Sequence, residues 1–230
     1  MKALIFAAGL GERMRPLTDH TPKPLLEAGG KPLIVWHLEK LAAMGIRDVV
    51  INISWLAEQF PRTLGDGGRW GLRLHWSHEG PTPLETGGGM LHARPLLGEE
   101  PFLLVNGDVW TDYDFARLPA EPDGLAHLVM VDTPAHKTRG DFTLEDDGTI
   151  RDDGARRLTY AGLGVYRPTL LDDWNAIVGD QVGMPPRFAL VHLLRAHMPE
   201  GAIHGEYWGG RWTDVGTPER LAQLDASLRA

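Results

Sequence analysis

The chain opens with MKALIFAAGLGERMRP over residues 1–16 and continues with TPKPLL over residues 21–26. Residues 4–8 form an apolar run whose length suits a buried parallel strand. Gly9 and Gly11 follow at once, and glycine has no Cβ to hold a backbone N–H group away from an anion. Arg13 and Lys23 supply positive charge behind this loop. The stretch predicts a strand and a triphosphate-binding loop, with an ordinary strand-to-loop turn as the alternative.

Spacing excludes two better-known phosphate loops. The Walker pattern requires Gly-x4-Gly-Lys-Ser/Thr, and the dinucleotide pattern requires a third glycine three positions after the second. Met14 occupies that third position here. A dinucleotide-dependent oxidoreductase is therefore excluded as well.

Composition narrows the class of protein and its partners. The chain has 230 residues, of which 43% are hydrophobic, and its net charge is 23 − 31 = −8. This acidic balance disfavours nucleic acid and membrane surfaces as partners. The absence of cysteine excludes disulfides and thiolate metal sites and fits a reducing cytoplasm. No complete signal peptide or membrane-spanning apolar run is present, so we expect a cytoplasmic protein.

Apolar patterning predicts alternating strands and helices along the chain. Strands are expected at residues 48–53, 102–105 and 125–131, and an alternating strand nearer the edge of the sheet at residues 72–76. Helices are expected at residues 33–44, 55–64, 90–97 and 188–198, with residues 79–89 as a loop. A last helix is expected with Thr217 as its N-cap and Pro218 in its first turn.

The order of these elements predicts an α/β fold. We expect a doubly wound, mostly parallel, Rossmann-like mixed sheet with helices on both faces. A small antiparallel subregion is expected from residues 142–144 and 158–166. The chain is interpreted as a single domain over residues 1–230, with halves at about 1–115 and 116–230.

Two aspartates follow predicted extended segments and are possible metal ligands. Asp108 comes directly after the strand at 102–105, and Asn106 and Gly107 let the backbone bend there. Asp214 lies between an aromatic-rich segment and the last helix. Carboxylate oxygens suit Mg²⁺, which takes one or two of them together with phosphate oxygens and water. The alternative for each aspartate is a carboxylate that only stabilises a loop.

Five motifs in chain order resemble the nucleotidyltransferases that make nucleoside-diphosphate sugars. They are AAGLGERMRP at 7–16, PKPL at 22–25, LETGG at 84–88, VNGD at 105–108 and DVGTP at 214–218. Three strings resemble the subgroup that uses N-acetylmuramate 1-phosphate in bacterial cell-wall recycling. These strings are LETGGG at 84–89, LLVNGDVWTDYD at 103–114 and RGDF at 139–142.

The resemblance implies transfer of UMP from UTP to N-acetylmuramate 1-phosphate, which yields UDP-N-acetylmuramate and pyrophosphate during peptidoglycan recycling. It implies UTP and a sugar 1-phosphate as small-molecule partners, Mg²⁺ as cofactor and no covalent enzyme intermediate. One alternative is guanylyl, thymidylyl or uridylyl transfer to mannose or glucose 1-phosphate. Another is a non-catalytic nucleotide-sugar-binding regulatory protein. The oligomeric state stays open, and a monomer is compatible with the sequence.

The resemblance also implies a set of site residues. Arg13, Lys23 and Asp108 would be catalytic, and Asp108 and Asp214 would hold Mg²⁺. The first half would bind the nucleotide through Ala8, Gly9, Gly11, Glu12, Arg13, Lys23, Glu79, Thr86 and Gly87. The second half would contribute to sugar binding, and the residues implied in sugar contacts are Asn106, Gly140 and Gly162.

Two departures from the family pattern affect this set. Glu85 stands where the wider family often has a glycine before Thr-x-Gly. Residues 153–157 lack the lysine of the Glu-Lys-Pro motif that grips the sugar phosphate in many members. Arg156 or Arg157 would replace that lysine, or Lys23 and the metal would hold the phosphate without it.

Overall fold

The computed structural model of the protein describes residues 1–179 and 183–229. Residues 180–182 and 230 of the predicted second half lie outside this description. The strands are β1 (Lys2–Phe6), β2 (Glu27–Ala28), β3 (Lys31–Pro32), β4 (Asp48–Ile53), β5 (Arg73–His78), β6 (Phe102–Asn106), β7 (Val109–Thr111), β8 (Ala126–Val131), β9 (Phe142–Leu144), β10 (Ile150–Arg151), β11 (Arg157–Tyr166), β12 (Ile203–Tyr207) and β13 (Trp212–Asp214). The helices are α1 (Leu33–Ala43), α2 (Gln59–Leu64), α3 (Glu85–Leu97), α4 (Trp174–Val178), α5 (Val191–His197) and α6 (Pro218–Arg229).

A nine-stranded mixed sheet runs through both halves of the chain. Its order is β10-β9-β11-β6-β1-β4-β5, with β8 on β11 and β12 on β8. Strands β6, β1, β4 and β5 are parallel, whereas β11 runs antiparallel to β6, β8 and β9. The predicted α/β mixed sheet is confirmed. Strands β1, β4, β5 and β6 of the first half are parallel, and β12 of the second half pairs with β8 in parallel. The antiparallel part is more extensive than a small subregion because β11 joins the same sheet.

Helices cover both faces of this sheet, as predicted. Leu4 and Ile5 are neighbours on β1, so their side chains point to opposite faces. Ile5 lies in a buried cluster with Leu38 of α1. Leu4 lies in a second buried cluster with Met90 of α3. The apolar run at the start of the chain is therefore buried on both sides.

A crevice lies at the carboxyl ends of the central strands, where the chain leaves β1 and β6. β1 lies between β4 and β6, and both pair with it in parallel. Phe6 at the end of β1 pairs with Asn52 on one side and with Asn106 on the other. In open parallel sheets, ligands bind beyond the carboxyl ends of strands whose connections diverge. The segments after Phe6 and Asn106 leave the sheet at such a point.

The predicted loop at 79–89 is wrong over its last five residues, because α3 already begins at Glu85. The run of glycines has a low intrinsic helix propensity, which favoured a loop. In the fold, Gly87 packs directly against Phe188, and a Cβ at Gly87 would overlap that ring. The N–H of Gly87 also donates to the carbonyl of Phe188 over 2.9 Å. Close packing therefore outweighs the propensity of glycine.

Two other helices are shorter than predicted. α2 begins at Gln59 and not at Trp55, since Leu56 has a positive φ of 49° that interrupts a helix. α5 begins at Val191, because the backbone of Phe188 is used in hydrogen bonds to the segment that starts α3. None of the helices in the described ranges is both long and apolar enough to cross a membrane.

A ribbon of two short strands supports the crevice. β7 was not predicted, whereas β13 is the extended segment that was predicted before Asp214. β7 follows Asp108 and pairs antiparallel with β13, which ends at Asp214. A buried cluster of Met14, Val215 and Leu224 then joins the segment after β1 to α6. Strands of three residues give almost no periodic signal, so only the pairing of distant segments reveals them.

Candidate active site

A cavity of about 700 Å³ lies beyond the carboxyl ends of β1 and β6. Most of the predicted site residues line it. They are Ala8, Gly9, Gly11, Glu12, Arg13, Lys23, Glu79, Thr86, Asn106 and Asp108. The predicted residues that do not line it are Gly87, Gly140, Gly162 and Asp214.

The glycine loop forms one wall of the cavity. Gly11 has φ +65° and lies against the side chain of Thr18, so both its backbone and its surroundings require glycine. The hydroxyl of Thr18 donates to the Gly11 carbonyl over 2.8 Å and holds the loop in place. A Cβ at Gly9 would meet no atom within 4 Å. The loop therefore leaves open space at Gly9, where an anion can approach the backbone.

Lys23 and Asp108 form an ion pair within the cavity. Lys23 is only 8% exposed, and its Nζ lies 2.5 Å from Asp108 Oδ2. Asp108 follows β6, and its carbonyl accepts the N–H of Val215 over 2.8 Å. A buried ammonium that faces a cavity is a strong anion-binding group, because little water competes for it. Lys23 and Arg13 bring two cations to the wall of this cavity.

Asp214 lies beside Asp108 although 106 positions separate them along the chain. It is the last residue of β13 and pairs with Val109, the residue after Asp108. Its carboxylate lies 2.5 Å from Arg220 Nη1 and 3.2 Å from His136 Nε2. Asp214 does not line the cavity, but Gly216 does. The β7–β13 ribbon thus brings the two predicted metal ligands to neighbouring positions.

A buried hydrogen-bond network connects the loop to α3, and its central residue, Asn52, was not among the predicted site residues. Asn52 Oδ1 accepts the N–H of Ala7 over 2.6 Å, and Asn52 Nδ2 donates to Glu79 Oε1 over 2.6 Å. Glu79 Oε2 accepts the N–H of Leu84 over 2.7 Å. Burial raises the pKa of Glu79, and these two hydrogen bonds oppose that shift. The available signal was one amide within the apolar run from Val49 to Ile53 of β4.

The start of α3 forms the opposite rim of the cavity. Glu85 has φ +64°, a conformation that costs an L-residue about 1–2 kcal/mol. Its carboxylate lies 3.4 Å from Arg187 Nε, and both residues line the cavity. Thr86 accepts the N–H of Leu190 through its hydroxyl over 2.9 Å. Arg187 was not among the predicted site residues.

The residues predicted for sugar contacts lie on the side of the cavity formed by β6 and β11. Gly162 has φ +71° and packs against the amide of Asn106. Gly140 lies farther out, against the backbone of Arg157 and Leu158.

The two arginines considered for the missing lysine have other contacts. Arg157 donates to the carbonyl of Gly140 over 3.1 Å and also to the carbonyls of Asp141 and Asp152. Arg156 lies over the ring of Tyr207, beside a separate cavity of about 180 Å³. Neither arginine lines the main cavity.

A sequence model of the family described as Nucleotidyl transferase matches residues 2–151. The matched part contains the glycine loop, Lys23, the Asn52–Glu79 network and Asp108. The chain belongs to the nucleotidyl transferase family. In this nucleotidyltransferase, the loop, the lysine and the aspartate that line the cavity all lie within the residues that match the family.

Two relatives of this nucleotidyltransferase match along almost their whole length. A protein from Neisseria meningitidis serogroup B named N-acetylmuramate alpha-1-phosphate uridylyltransferase is 46% identical over 98% of this chain and 97% of its own. A Caulobacter vibrioides protein of the same name is 33% identical over 98% of this chain and 96% of its own. A solved Bacillus anthracis structure in complex with sucrose has a TM-score of 0.85 and 19% identity, and covers 100% of this chain and 95% of that one. The last comparison concerns the fold alone.

The donors in this nucleotidyltransferase fit a magnesium ion that is shared with phosphates. Asp108 and Asp214 offer carboxylate oxygens at neighbouring positions, and Mg²⁺ usually takes one or two carboxylates plus phosphate oxygens and water. In residues 1–179 and 183–229, no group of three or more acidic, histidine or cysteine side chains is arranged to hold a metal. A metal here would therefore depend on substrate oxygens to complete its ligands.

Proposed function

We propose that the enzyme transfers UMP from UTP to N-acetylmuramate 1-phosphate and releases UDP-N-acetylmuramate and pyrophosphate. The observation that carries the proposal is the convergence of Arg13, Lys23 and Asp108 on one cavity, in a chain that matches uridylyltransferases over nearly their whole length. The reaction would serve cell-wall recycling in the cytoplasm. We further propose that the chain acts as one domain, since β11 of the second half pairs with β6 of the first.

Positioning and charge stabilisation supply the chemistry in this proposal. A phosphate oxygen of the sugar 1-phosphate attacks the α-phosphorus of UTP, and the bond from that phosphorus to pyrophosphate breaks. Phosphoryl-type transfers require little covalent chemistry from the protein, so fixed positive groups carry most of the catalysis. Lys23 binds the α-phosphate, and Arg13 stabilises the charge of the departing pyrophosphate. Gly9 and Gly11 leave the backbone open to the remaining phosphates.

Mg²⁺ would be held by Asp108 and Asp214, and it would neutralise phosphate charge during the transfer. Lys23 would then leave Asp108, its partner in the structure at 2.5 Å, and bind phosphate. Glu79, Thr86 and Gly87 form or support the side of the cavity nearest α3, where we propose that the base binds. Asn106 and Gly162 lie on the opposite side, where we propose that the sugar binds.

Substrate specificity is tested with a matrix of four ribonucleoside triphosphates and several sugar 1-phosphates. Pyrophosphate release is measured with N-acetylmuramate, N-acetylglucosamine, mannose and glucose 1-phosphates. We expect the highest kcat/KM with UTP and N-acetylmuramate 1-phosphate. A preference for GTP and mannose 1-phosphate would instead support the guanylyltransferase alternative. Binding of nucleotide sugars without turnover of any pair would support the non-catalytic alternative.

Lys23→Ala tests the catalytic assignment. Removal of one preorganised donor that stabilises transition-state charge typically lowers kcat by about 10²- to 10³-fold. We expect a loss of that size, with pyrophosphate release as the measurement. Lys31→Ala is the matched control, because Lys31 pairs with Glu39 and does not line the cavity. Turnover by Lys23→Ala equal to that of the control would contradict the mechanism.

A further inference from the structure

Arg220 lies in a cluster of polar groups at the sugar side of the cavity. It belongs to the first turn of α6, and its side chain is 16% exposed. Its Nη1 lies 2.5 Å from Asp214 Oδ1 and 2.8 Å from His136 Nε2. None of the predicted functions accounts for this arginine. Its near burial and its direct contact with a predicted metal ligand distinguish it from a surface charge.

Gly216 places the Arg220 guanidinium beside the cavity. Gly216 lines the cavity, and a Cβ there would overlap the end of Arg220 and approach Arg13 Nη2 to 3.3 Å. Two guanidinium groups therefore flank one glycine at the wall of the site. Arg13 and Gly216 both line the cavity, so the Arg220 guanidinium lies directly behind this wall.

The surroundings of Arg220 belong to the proposed sugar side and not to the base side. Trp212 of β13 donates through Nε1 to the carbonyl of Ala161 over 2.9 Å, next to Gly162. His136 lies in the connection between β8 and β9, which also contains Gly140. Arg187, a cavity arginine that was not predicted, pairs with the first residue of α3 on the opposite rim.

Arg220 has the same relation to Asp214 that Lys23 has to Asp108. Each predicted metal carboxylate is paired at 2.5 Å with a largely buried cation. When such a carboxylate coordinates a metal ion, the largely buried cation loses its ion-pair partner. A buried charge without a partner is costly, so it binds another anion. Arginine suits phosphate and carboxylate groups because its planar fork donates two parallel hydrogen bonds.

We propose that Arg220 binds an anionic group of the acceptor sugar when Asp214 is engaged by the metal. The inference rests on the proposed function and supplies the cation that neither Arg156 nor Arg157 provides at the cavity. N-Acetylmuramate 1-phosphate carries two anionic groups, the 1-phosphate and the carboxylate of its lactyl ether. Arginine recognises both by the same chemistry, and the choice of acceptor separates them.

Arg220→Ala is compared with Arg229→Ala, which removes the same charge from the same helix. Arg229 pairs with Asp225 at the surface and does not line the cavity. Acceptor binding is measured by calorimetry on enzyme loaded with Mg²⁺ and an unreactive UTP analogue, and KM is measured for both substrates. We expect Arg220→Ala to weaken binding of N-acetylmuramate 1-phosphate by about 10- to 100-fold, as for loss of a charged hydrogen bond. The KM for UTP should change less than about threefold on the same grounds.

A second acceptor, N-acetylglucosamine 1-phosphate, lacks the lactyl carboxylate. An equal loss with both acceptors assigns Arg220 to the phosphate, and a loss confined to N-acetylmuramate 1-phosphate assigns it to the carboxylate. Unchanged acceptor affinity, or a change confined to UTP, would overturn the inference. Arg220→Gln is the second variant if Arg220→Ala does not fold, and the same outcomes apply to it. If the wild-type enzyme itself fails to turn over UTP with N-acetylmuramate 1-phosphate, the proposed function is at fault and not the role of Arg220.

Discussion

Asn52→Asp tests whether the buried network between the loop and α3 depends on a single donor. The substituted carboxylate still accepts the N–H of Ala7, which Asn52 Oδ1 now accepts over 2.6 Å. It removes the donor to Glu79 Oε1, which lies 2.6 Å from Asn52 Nδ2. Two carboxylate oxygens then face each other at a site where Asn52 is 3% and Glu79 is 6% exposed.

The expected cost follows from the lost hydrogen bond and from the new charge. A hydrogen bond to a charged group contributes about 1.5–3 kcal/mol, and two buried carboxylates at this distance do not both ionise. Burial already raises the pKa of Glu79 above its ordinary 4.5, and the neighbouring carboxylate raises it further. The folded variant therefore binds a proton that the unfolded chain releases. We expect a loss of about 2–3 kcal/mol at pH 8 and a smaller loss at pH 5.

Urea unfolding at both pH values measures these free energies for Asn52→Asp, Glu79→Gln and the double variant. The double variant exchanges donor and acceptor, since the amide introduced at position 79 donates to the carboxylate introduced at position 52. Its amide oxygen still accepts the N–H of Leu84. We expect the double variant to recover to within about 1 kcal/mol of the wild type. The reasoning would be refuted if the stability loss of the double variant equalled the sum of the two single losses. It would also be refuted if the loss for Asn52→Asp did not depend on pH.

Two further predictions concern backbone strain and a buried histidine. The free energy of unfolding, measured in urea, should be about 1 kcal/mol higher for Glu85→Gly than for Glu85→Ala, because glycine tolerates φ +64°. Both variants lose the pair with Arg187, so this loss cancels in the comparison. Equal stability of the two variants would contradict the prediction. Burial lowers the pKa of His37 to about 4 from 6.5, so between these values the unfolded chain takes up a proton and the folded protein does not. The free energy of unfolding should fall by up to about 1.4 kcal/mol per pH unit as the pH drops, and His37→Gln should lessen that slope in urea titrations from pH 6.5 to 4.5. An unchanged slope would show that folding does not shift the pKa of His37.

Much of the first half of the chain could be predicted because its signals are local. An apolar run followed at once by Gly9 and Gly11 predicts a strand and an open loop without knowledge of the rest of the chain. The same holds for β6, whose apolar residues are contiguous, and for β4, whose apolar run is interrupted only at Asn52. Asp108 was found because it directly follows such a strand.

Elements that depend on distant partners were missed or misplaced. Asn52 belongs to the site only because Ala7 and Glu79 lie on either side of it in the fold. The glycines that open α3 favoured a loop until Phe188 was seen to pack against Gly87. Local propensity carries no information about such contacts, and close packing decides between the two conformations.

Arg156 and Arg157 illustrate the limit of reasoning from position in the chain. They occupy the stretch that corresponds to the missing lysine, and their charge suits a sugar phosphate. The fold directs Arg157 to backbone carbonyls and Arg156 to the ring of Tyr207. No sequence motif marks Arg220, yet α6 brings it against Gly216, which lines the cavity.

The sequence by itself determined the α/β class, the glycine loop and the identity of the charged groups near it, because these follow from residue type and short-range spacing. Only the tertiary structure decided which charges meet. It paired Lys23 with Asp108, and it brought Asp214 beside them through the β7–β13 ribbon. The physical reason is that β-pairing and ion pairing join residues that are far apart along the chain. The periodicity of the sequence reports only local structure and does not predict such contacts.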